Sequence, residues 1–263
     1  MHSILPCSIE YMYKETNTFP LILLEETDST NRYLTQLCDR QQVAEYTTVC
    51  ADYQTAGKGQ RGNTWESEKG KNLMFSLVLY PTFLPPQRQF ILSQLTALAV
   101  KETLDTWTDD IRIKWPNDIY WQEKKICGML IEHELNAGGI ARSIVGIGLN
   151  VNQEIFRSNA PNPVSLKLIT GQEHDRMDIL NHILTRLQSY YEALRDNHSG
   201  IEEEITRQYD QALFRREGWH PYEDASGRFI ARLLRVDPDG RYILQDETGK
   251  ERSYLFKEVQ YIL

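Results

Sequence analysis

The chain has 263 residues, of which 41% are hydrophobic and 25% charged, the composition of a globular protein with one large domain or one domain plus a small appendage. Lysine and arginine total 29 against 37 aspartates and glutamates, and the resulting net charge of −8 disfavours a general nucleic-acid binder. No apolar run approaches the ~18 residues that span a bilayer, and the first residues do not resemble a secretory signal, so we expect a cytoplasmic protein without a membrane partner.

The first half of the chain predicts strands alternating with helices. Short β-rich runs predict strands at residues 21–26, 47–53 and 73–80. The polar cluster at residues 28–31 is typical of a helix start, and a glycine-rich loop follows at residues 54–63. Apolar residues at helical spacing over 87–107 predict a helix that lies on the sheet.

The second half predicts more strands, then helices, then a change of pattern. Strands are predicted at residues 111–115, 126–135 and 140–152, and helices at 177–194 and 202–213. Beyond residue 218, short β runs are separated by turn sequences such as Asp237-Pro238-Asp239-Gly240. These runs predict a small barrel-like module over residues 218–263.

The glycine-rich loop carries two cations, Lys58 and Arg61, between Gly57 and Gly62. Successive N–H groups in such a loop form an anion site, so phosphate or carboxylate binding is one interpretation. A surface hairpin with solvated cations is the other, and it is the commoner structure. The segment is not a Walker A loop, because Asp52 stands where its first glycine would fall.

The segment Lys114-Trp115-Pro116-Asn117-Asp118 concentrates polar chemistry at a turn. Asn117 and Asp118 would either act in a site or only stabilise the turn, and Trp115 would equally suit the core. Further along, strand alternation predicts that Lys125 shares a face with Cys127 and lies opposite Gly128. A lysine beside a buried strand needs an anion, so Lys125 would pair with Asp118, or both would face a bound phosphate.

Four segments together, in order over residues 21–152, resemble the biotin protein ligase family, whose members join biotin to a lysine of biotin-dependent carboxylases. They are D-S-T-N at 28–31, QTAGKGQRGNTW at 54–65, KWPND with the K-x-x-G pair Lys125 and Gly128, and GIGLNVN at 146–152. The resemblance implies an α+β fold: a mixed-sheet ligase core with packed helices over 1–217 and a C-terminal SH3-like β-barrel over 218–263.

The resemblance also implies an activity, which is ATP-dependent biotinylation of a biotin carboxyl carrier protein or domain through biotinyl-5'-adenylate. ATP and biotin are substrates, and Mg²⁺ accompanies the triphosphate without a dedicated protein site. The implied biotin-binding residues are Ser29, Thr30, Asn31, Gln54, Gly57, Lys58, Gly59, Gln60, Lys125 and Gly128. The implied ATP and adenylate residues are Arg61, Trp65, Asn117 and Asn150. The implied catalytic residues are Lys125, Asp118, Arg61 and Lys58.

The chain departs from the family pattern in its loop, where Lys58, Gln60 and Asn63 occupy positions that often hold arginine. This weakens the charge-assisted grip on phosphate and raises the importance of Arg61. Because only residues 1–20 precede the first predicted strand, we expect no DNA-binding domain and no nucleic-acid partner. The assembly is expected to be a monomer or homodimer.

Two other functions compete with biotin ligation. A lipoate protein ligase shares the core, but it predicts an R-R-x-S-G-G-G-type segment that this chain lacks. A noncatalytic biotin or nucleotide sensor would have the same pocket without turnover. Zinc chemistry has no support, because the four cysteines are scattered and the six histidines lack H-E-x-x-H spacing.

Overall fold

The computed structural model describes residues 19–57, 59, 64–158 and 162–262. The strands are β1 (Leu21–Leu24), β2 (Thr48–Ala51), β3 (Leu73–Leu79), β4 (Ile111–Lys114), β5 (Asp118–Trp121), β6 (Lys124–Asn136), β7 (Gly139–Leu149), β8 (His220–Asp224), β9 (Gly227–Val236), β10 (Tyr242–Asp246), β11 (Glu251–Tyr254) and β12 (Val259–Tyr261). The α-helices are α1 (Thr30–Arg40), α2 (Phe90–Leu104), α3 (Leu166–Thr170), α4 (Arg176–Arg195) and α5 (Ile201–Gln211).

The larger sheet has seven strands in the order β1-β2-β3-β7-β6-β5-β4. Only the β1–β2 pairing within it is parallel, which confirms the predicted mixed sheet. One face packs its odd-numbered β3 residues, such as Phe75 and Leu77, into the main core beneath α2. The other face carries α1 over a smaller cluster that includes Leu34, Val49 and Val78. The two faces therefore have different covers, and α1 lies over only part of the second face, against β2, β3 and β7.

Helix α2 is buried on more sides than an amphipathic helix on a sheet. Its outer side is covered by α4 and α5, so even Thr96 and Thr103 are fully buried. Each of these threonines satisfies its hydroxyl by donating to the carbonyl four residues earlier, Leu92 and Ala99 respectively. The predicted apolar stripe is confirmed, but the second layer of helices explains why the polar positions are buried too.

Strand β6 contains a bulge that makes one prediction wrong. Across β5, Tyr120 pairs with Lys125 and Ile119 pairs with Cys127, so Ile126 is an extra residue in the ladder. Because the side-chain alternation restarts after a bulge, Lys125 lies on the same face as Gly128, and Cys127 faces the core. The strict alternation that placed Lys125 with Cys127 missed this local insertion.

A second sheet of five antiparallel strands, in the order β11-β10-β9-β8-β12, covers residues 220–261. It matches the expected small SH3-like β module, although β8 and β12 were not predicted because they are short and polar. Trp115 joins this module to the core of the large sheet: its indole N–H donates to the Gly240 carbonyl at 3.0 Å, and its ring stacks on Tyr242 at 4.9 Å between centroids. Trp115 is therefore a core residue, which is one of the two interpretations that the sequence left open for it.

The remaining predicted elements are present with small shifts at their ends. The short helix α3 was not predicted; it begins after Ser165, whose side chain accepts from Leu168 N, and ends at Gly171 in a left-handed conformation. Within the described residues, no helix has both the length and the apolar character required to cross a membrane.

Candidate active site

The family-like motifs meet on the face of the large sheet that α1 only partly covers. Residues paired across neighbouring strands share a face, so the register defines two rows of side chains. The first row runs from Ser76 through Gly146 to Leu130. The second runs from Gly148 through Gly128 and Asp118 to Lys114. A pocket lies over these rows, between the start of α1, the segment around Trp65 and the C-terminal module.

Most of the expected site residues line this pocket. They are Ser29, Thr30, Asn31, Gln54, Gly59, Trp65, Asn117, Asp118, Lys125 and Gly128. Gly57 is buried beside them, with its carbonyl accepting from Trp65 N at 3.0 Å. Lys58, Gln60 and Arg61 lie outside the described residues, so their expected roles remain predictions. The pocket is also lined by residues that were not predicted: Thr64, Met129, Leu130, Gly146, Ile147, Gly148 and Phe256.

A neutral hydrogen-bond network forms one end of the pocket. Gln54 Oε1 accepts from the Thr30 backbone N–H at 2.7 Å and from the Thr30 hydroxyl at 3.2 Å. Ser76 Oγ lies 2.7 Å from Thr30 Oγ1 and 2.6 Å from Asn31 Oδ1. Asn31 Nδ2 donates to Glu132 Oε2 at 2.7 Å. Both ends of the Asn31 amide are thus held by protein groups, which fixes the helix start from which Ser29 and Thr30 face the pocket.

Ser76 and Glu132 are the parts of this network that the sequence analysis missed, and only Ser76 carried a signal. It is fully buried in β3, whose other residues are apolar. A lone hydroxyl within an otherwise apolar buried strand must find a hydrogen-bond partner, and that requirement was the available signal.

Glycines on the sheet make room for the Asn31 and Trp65 side chains. A Cβ at Gly146 would lie 2.8 Å from Asn31 Cγ, and a Cβ at Gly148 would lie 2.6 Å from Trp65 Cε2. Gly128, directly opposite Gly148, would place a Cβ 3.1 Å from the same indole. The two G-x-G glycines are therefore required by close approach of side chains, since neither has a positive φ.

An ion pair forms the other end of the pocket. Lys125 Nζ lies 2.8 Å from Asp118 Oδ1, and both side chains are about one-third exposed or less, at 32% and 28%. This pair is the first of the two arrangements that the sequence left open. The bulge at Ile126 brings Lys125 to this face, and its backbone bonds to Asn162 and Val164 hold it there. The Lys125 ammonium also lies 5.8 Å from the centroid of a Trp65 ring.

Two asparagines of the family-like motifs support the backbone around the pocket. Asn117 Nδ2 donates to the Met129 carbonyl. Asn150 is buried and donates to the Val164 carbonyl at 3.0 Å, on the segment that also pairs with Lys125. Asn150 stands outside the set of described residues that line the pocket, so its position favours support of the pocket wall over contact with an adenylate.

Known proteins resemble this chain in both sequence and fold. Residues 23–152 match the Biotin/lipoate A/B protein ligase family. A bifunctional ligase/repressor, BirA, of Bacillus subtilis is 31% identical over 80% of this chain and 65% of its own length. A biotin ligase for acetyl-CoA carboxylase of Paracoccus denitrificans is 31% identical over 60% of this chain and 68% of its own length. The structure of the Aquifex aeolicus biotin protein ligase in complex with biotin and ATP superposes with a TM-score of 0.76 at 29% identity, covering 92% of this chain and 99% of that one.

The fold, the pocket and these similarities place the chain in the biotin/lipoate A/B protein ligase family. Within that family it belongs with the biotin protein ligases. The chain spans 65% of the length of the bifunctional Bacillus subtilis relative.

Proposed function

We propose that this protein attaches biotin to a lysine of a biotin carboxyl carrier protein or domain, using ATP and forming biotinyl-5'-adenylate. The observation that carries the proposal is the polarity of the pocket, which has neutral hydrogen-bonding groups at one end and the Lys125–Asp118 pair at the other. Biotin has the same polarity, since a neutral ureido ring and a carboxylate stand at its two ends. We assign the ureido ring to Ser29, Thr30 and Gln54 and the carboxylate to Lys125.

In the first half-reaction, a biotin carboxylate oxygen attacks the α-phosphorus of ATP and the bond to pyrophosphate breaks. Two anions must approach each other, so a fixed cation at the reacting atoms lowers the barrier. Lys125 supplies that cation by exchanging its contact with Asp118 for the substrate oxygens. Lys58 and Arg61, with the N–H groups of the loop from Gly57, are proposed to hold the phosphates.

Mg²⁺ enters this scheme as the ATP complex and screens the triphosphate charge. The described residues contain no group of three or more His, Cys, Asp or Glu side chains arranged to hold a metal. We therefore assign no protein ligand to Mg²⁺. Trp65 is proposed to face the adenylate.

In the second half-reaction, the carrier lysine attacks the carbonyl carbon of the adenylate, AMP leaves, and the amine loses a proton. Asp118 is the carboxylate nearest to this event in the pocket, where it pairs with Lys125. It would accept a hydrogen bond from the attacking amine and act as general base or electrostatic guide. The proposed carrier is of the kind given in the name of the Paracoccus denitrificans relative, acetyl-CoA carboxylase.

The proposal includes the domain assignment and setting expected from the sequence. Residues 1–217 form the catalytic domain and 218–263 the C-terminal β domain, working in the cytoplasm as a monomer or homodimer. The contact of Phe256 with the pocket supports a part for the C-terminal domain in the reaction.

The deciding experiment is transfer of labelled biotin to a purified carrier domain in the presence of ATP and Mg²⁺. We expect label on the carrier, and pyrophosphate release from ATP and biotin even without carrier. Biotin binding without pyrophosphate release would identify a sensor instead. Transfer of lipoate in preference to biotin would identify a lipoate ligase.

A further inference from the structure

Lys114, at the end of β4, is a partly buried lysine beside the proposed active site. It pairs directly with Asp118 across β4 and β5, so both side chains lie on the pocket face of the sheet. Its ammonium donates to the Tyr120 hydroxyl at 3.0 Å and lies 4.6 Å from the centroid of that ring. On its other side, the ring of Tyr261 from β12 lies 4.9 Å away. Lys114 is therefore caged between the ligase core and the C-terminal module.

Burial in this cage disfavours the positive charge of Lys114. Burial lowers the pKa of Lys114 from 10.5 to about 8, the negative charge of Asp118 opposes this shift, and the positive charges of Lys125 and Arg215 add to it. The groups that face the ammonium are the phenols of Tyr120 and Tyr261. Phenol rings stabilise a cation through their faces, but they do not neutralise it. Asp118 is therefore the anion that stabilises the positive charge of Lys114.

Asp118 consequently lies between two lysines whose side chains differ in how freely they can move. Lys125 is the direct partner at 2.8 Å and borders the pocket, whereas Lys114 is fixed by its tyrosine cage. When an anionic substrate draws Lys125 away, Asp118 would be left without a counter-charge unless a second cation remains nearby. Leaving a partly buried carboxylate uncompensated is unfavourable.

We propose that Lys114 is a positioning residue for the Asp118–Lys125 pair. It supplies the positive charge that holds Asp118 in place while Lys125 engages the anionic substrates. This inference rests on the proposed function, because it assigns Lys114 a part in the same reaction. It also gives the C-terminal module a chemical role, since Tyr261 forms one wall of the cage.

The test compares the full-length protein with Lys114→Arg and Lys114→Met, measuring biotin-dependent pyrophosphate release from ATP without carrier. Lys124→Met is the matched control, because Lys124 is an exposed lysine of β6 whose ammonium lies only against the Trp121 ring among the described residues. At neutral pH we expect Lys114→Met to lose about tenfold in kcat with the KM for biotin changed less than about twofold, and Lys114→Arg to stay within about threefold of the wild type.

The pH dependence separates a charge effect from a packing effect. The wild-type ammonium loses its proton as the pH rises through about 8, whereas arginine stays charged. The rate ratio of wild type to Lys114→Met should therefore fall from about tenfold at pH 7 to about twofold by about pH 9, while the ratio of Lys114→Arg to wild type rises by about fivefold. Ionisations common to the variants cancel in these ratios.

Three outcomes would overturn the inference. Equal losses in the Arg and Met variants at every pH would show that Lys114 only fills space. An unchanged rate in Lys114→Met would show that Asp118 needs no second cation. A fall in kcat for Lys124→Met equal to that of Lys114→Met would show that the loss of rate is not specific to Lys114. If the wild type itself releases no pyrophosphate while folded and able to bind biotin, the proposed function fails, and this inference falls with it.

Discussion

The two ends of the pocket are built in different ways. At the neutral end, Thr30, Asn31 and Ser76 hydrogen-bond to one another, to Gln54 and to Glu132. At the charged end, Asp118 is the single close partner of Lys125 among the described residues, and both remain partly exposed. The neutral end is thus set before any ligand arrives, while the charged end holds an ion pair that a substrate anion can open.

This difference matches what each end has to do. Hydrogen bonds among the buried side chains of Thr30, Asn31 and Ser76 are rigid because breaking any one of them leaves an unsatisfied polar group. Both side chains of the Lys125–Asp118 ion pair remain partly exposed, so a substrate anion can reach Lys125 and replace Asp118 as its partner. Changes at the charged end should therefore reduce the rate of reaction, and changes at the neutral end should reduce binding of biotin.

The largest expected effect is that of Lys125→Ala at the charged end. Removing a group that stabilises developing charge typically costs about 10²- to 10³-fold in rate. We expect that loss in pyrophosphate release, with a retained fold by circular dichroism. Lys124→Ala serves as control. A folded variant with near-normal release would move the catalytic role to another lysine.

The next largest effect is expected from Gly146→Ala at the neutral end. The new Cβ would lie 2.8 Å from Asn31 Cγ, so the start of α1 must shift. Overpacking of this kind costs roughly 1 to 3 kcal/mol, which predicts a weakening of biotin binding by about 5- to 150-fold in calorimetry. Gly138→Ala, in the exposed β6–β7 turn, is the control. Equal affinities for Gly146→Ala and wild type would show that the Asn31 contact is not required.

Ser76→Ala should have a smaller effect on the same end. The change leaves Thr30 Oγ1 and Asn31 Oδ1 without the hydroxyl that now joins them. A lost buried hydrogen bond costs about 1 kcal/mol, so we expect about a fivefold rise in the KM for biotin with kcat nearly constant. Thr103→Ala removes a buried hydroxyl far from the pocket and controls for stability. A fall in kcat alone would contradict the division between the two ends.

The smallest effect concerns stability and tests the charge of Lys114. Its pKa is about 8 in the folded protein and 10.5 in the unfolded chain, so the unfolded chain binds more protons between these values. Stability of the wild type relative to Lys114→Met should therefore rise with pH, by about 1 kcal/mol between pH 8 and 9. Urea unfolding at the two pH values measures this difference. A constant difference would mean that Lys114 titrates outside this range.

Local patterns in the sequence were sufficient for most elements and for the order of the motifs. The start of α1 at Thr30 and the separate β module after Gly218 follow from short-range signals, whereas β5 (Asp118–Trp121) was not predicted because residues 116–118 were interpreted only as a turn. Periodicity and turn residues express the physics of neighbouring positions, so they predict elements well. They also left Lys125 as a candidate partner of Asp118, while its catalytic role was implied by the family resemblance.

Only the tertiary structure decided which side chains share the pocket. The bulge at Ile126 depends on pairing between β5 and β6, and it turns Lys125 towards Gly128 instead of Cys127. Tyr261 and Phe256 reach the site from a module that begins about 100 residues after Lys114, a distance that no local pattern spans. Sequence periodicity specifies where a side chain points within its own strand, whereas the register between strands and the packing between modules determine which residues it meets.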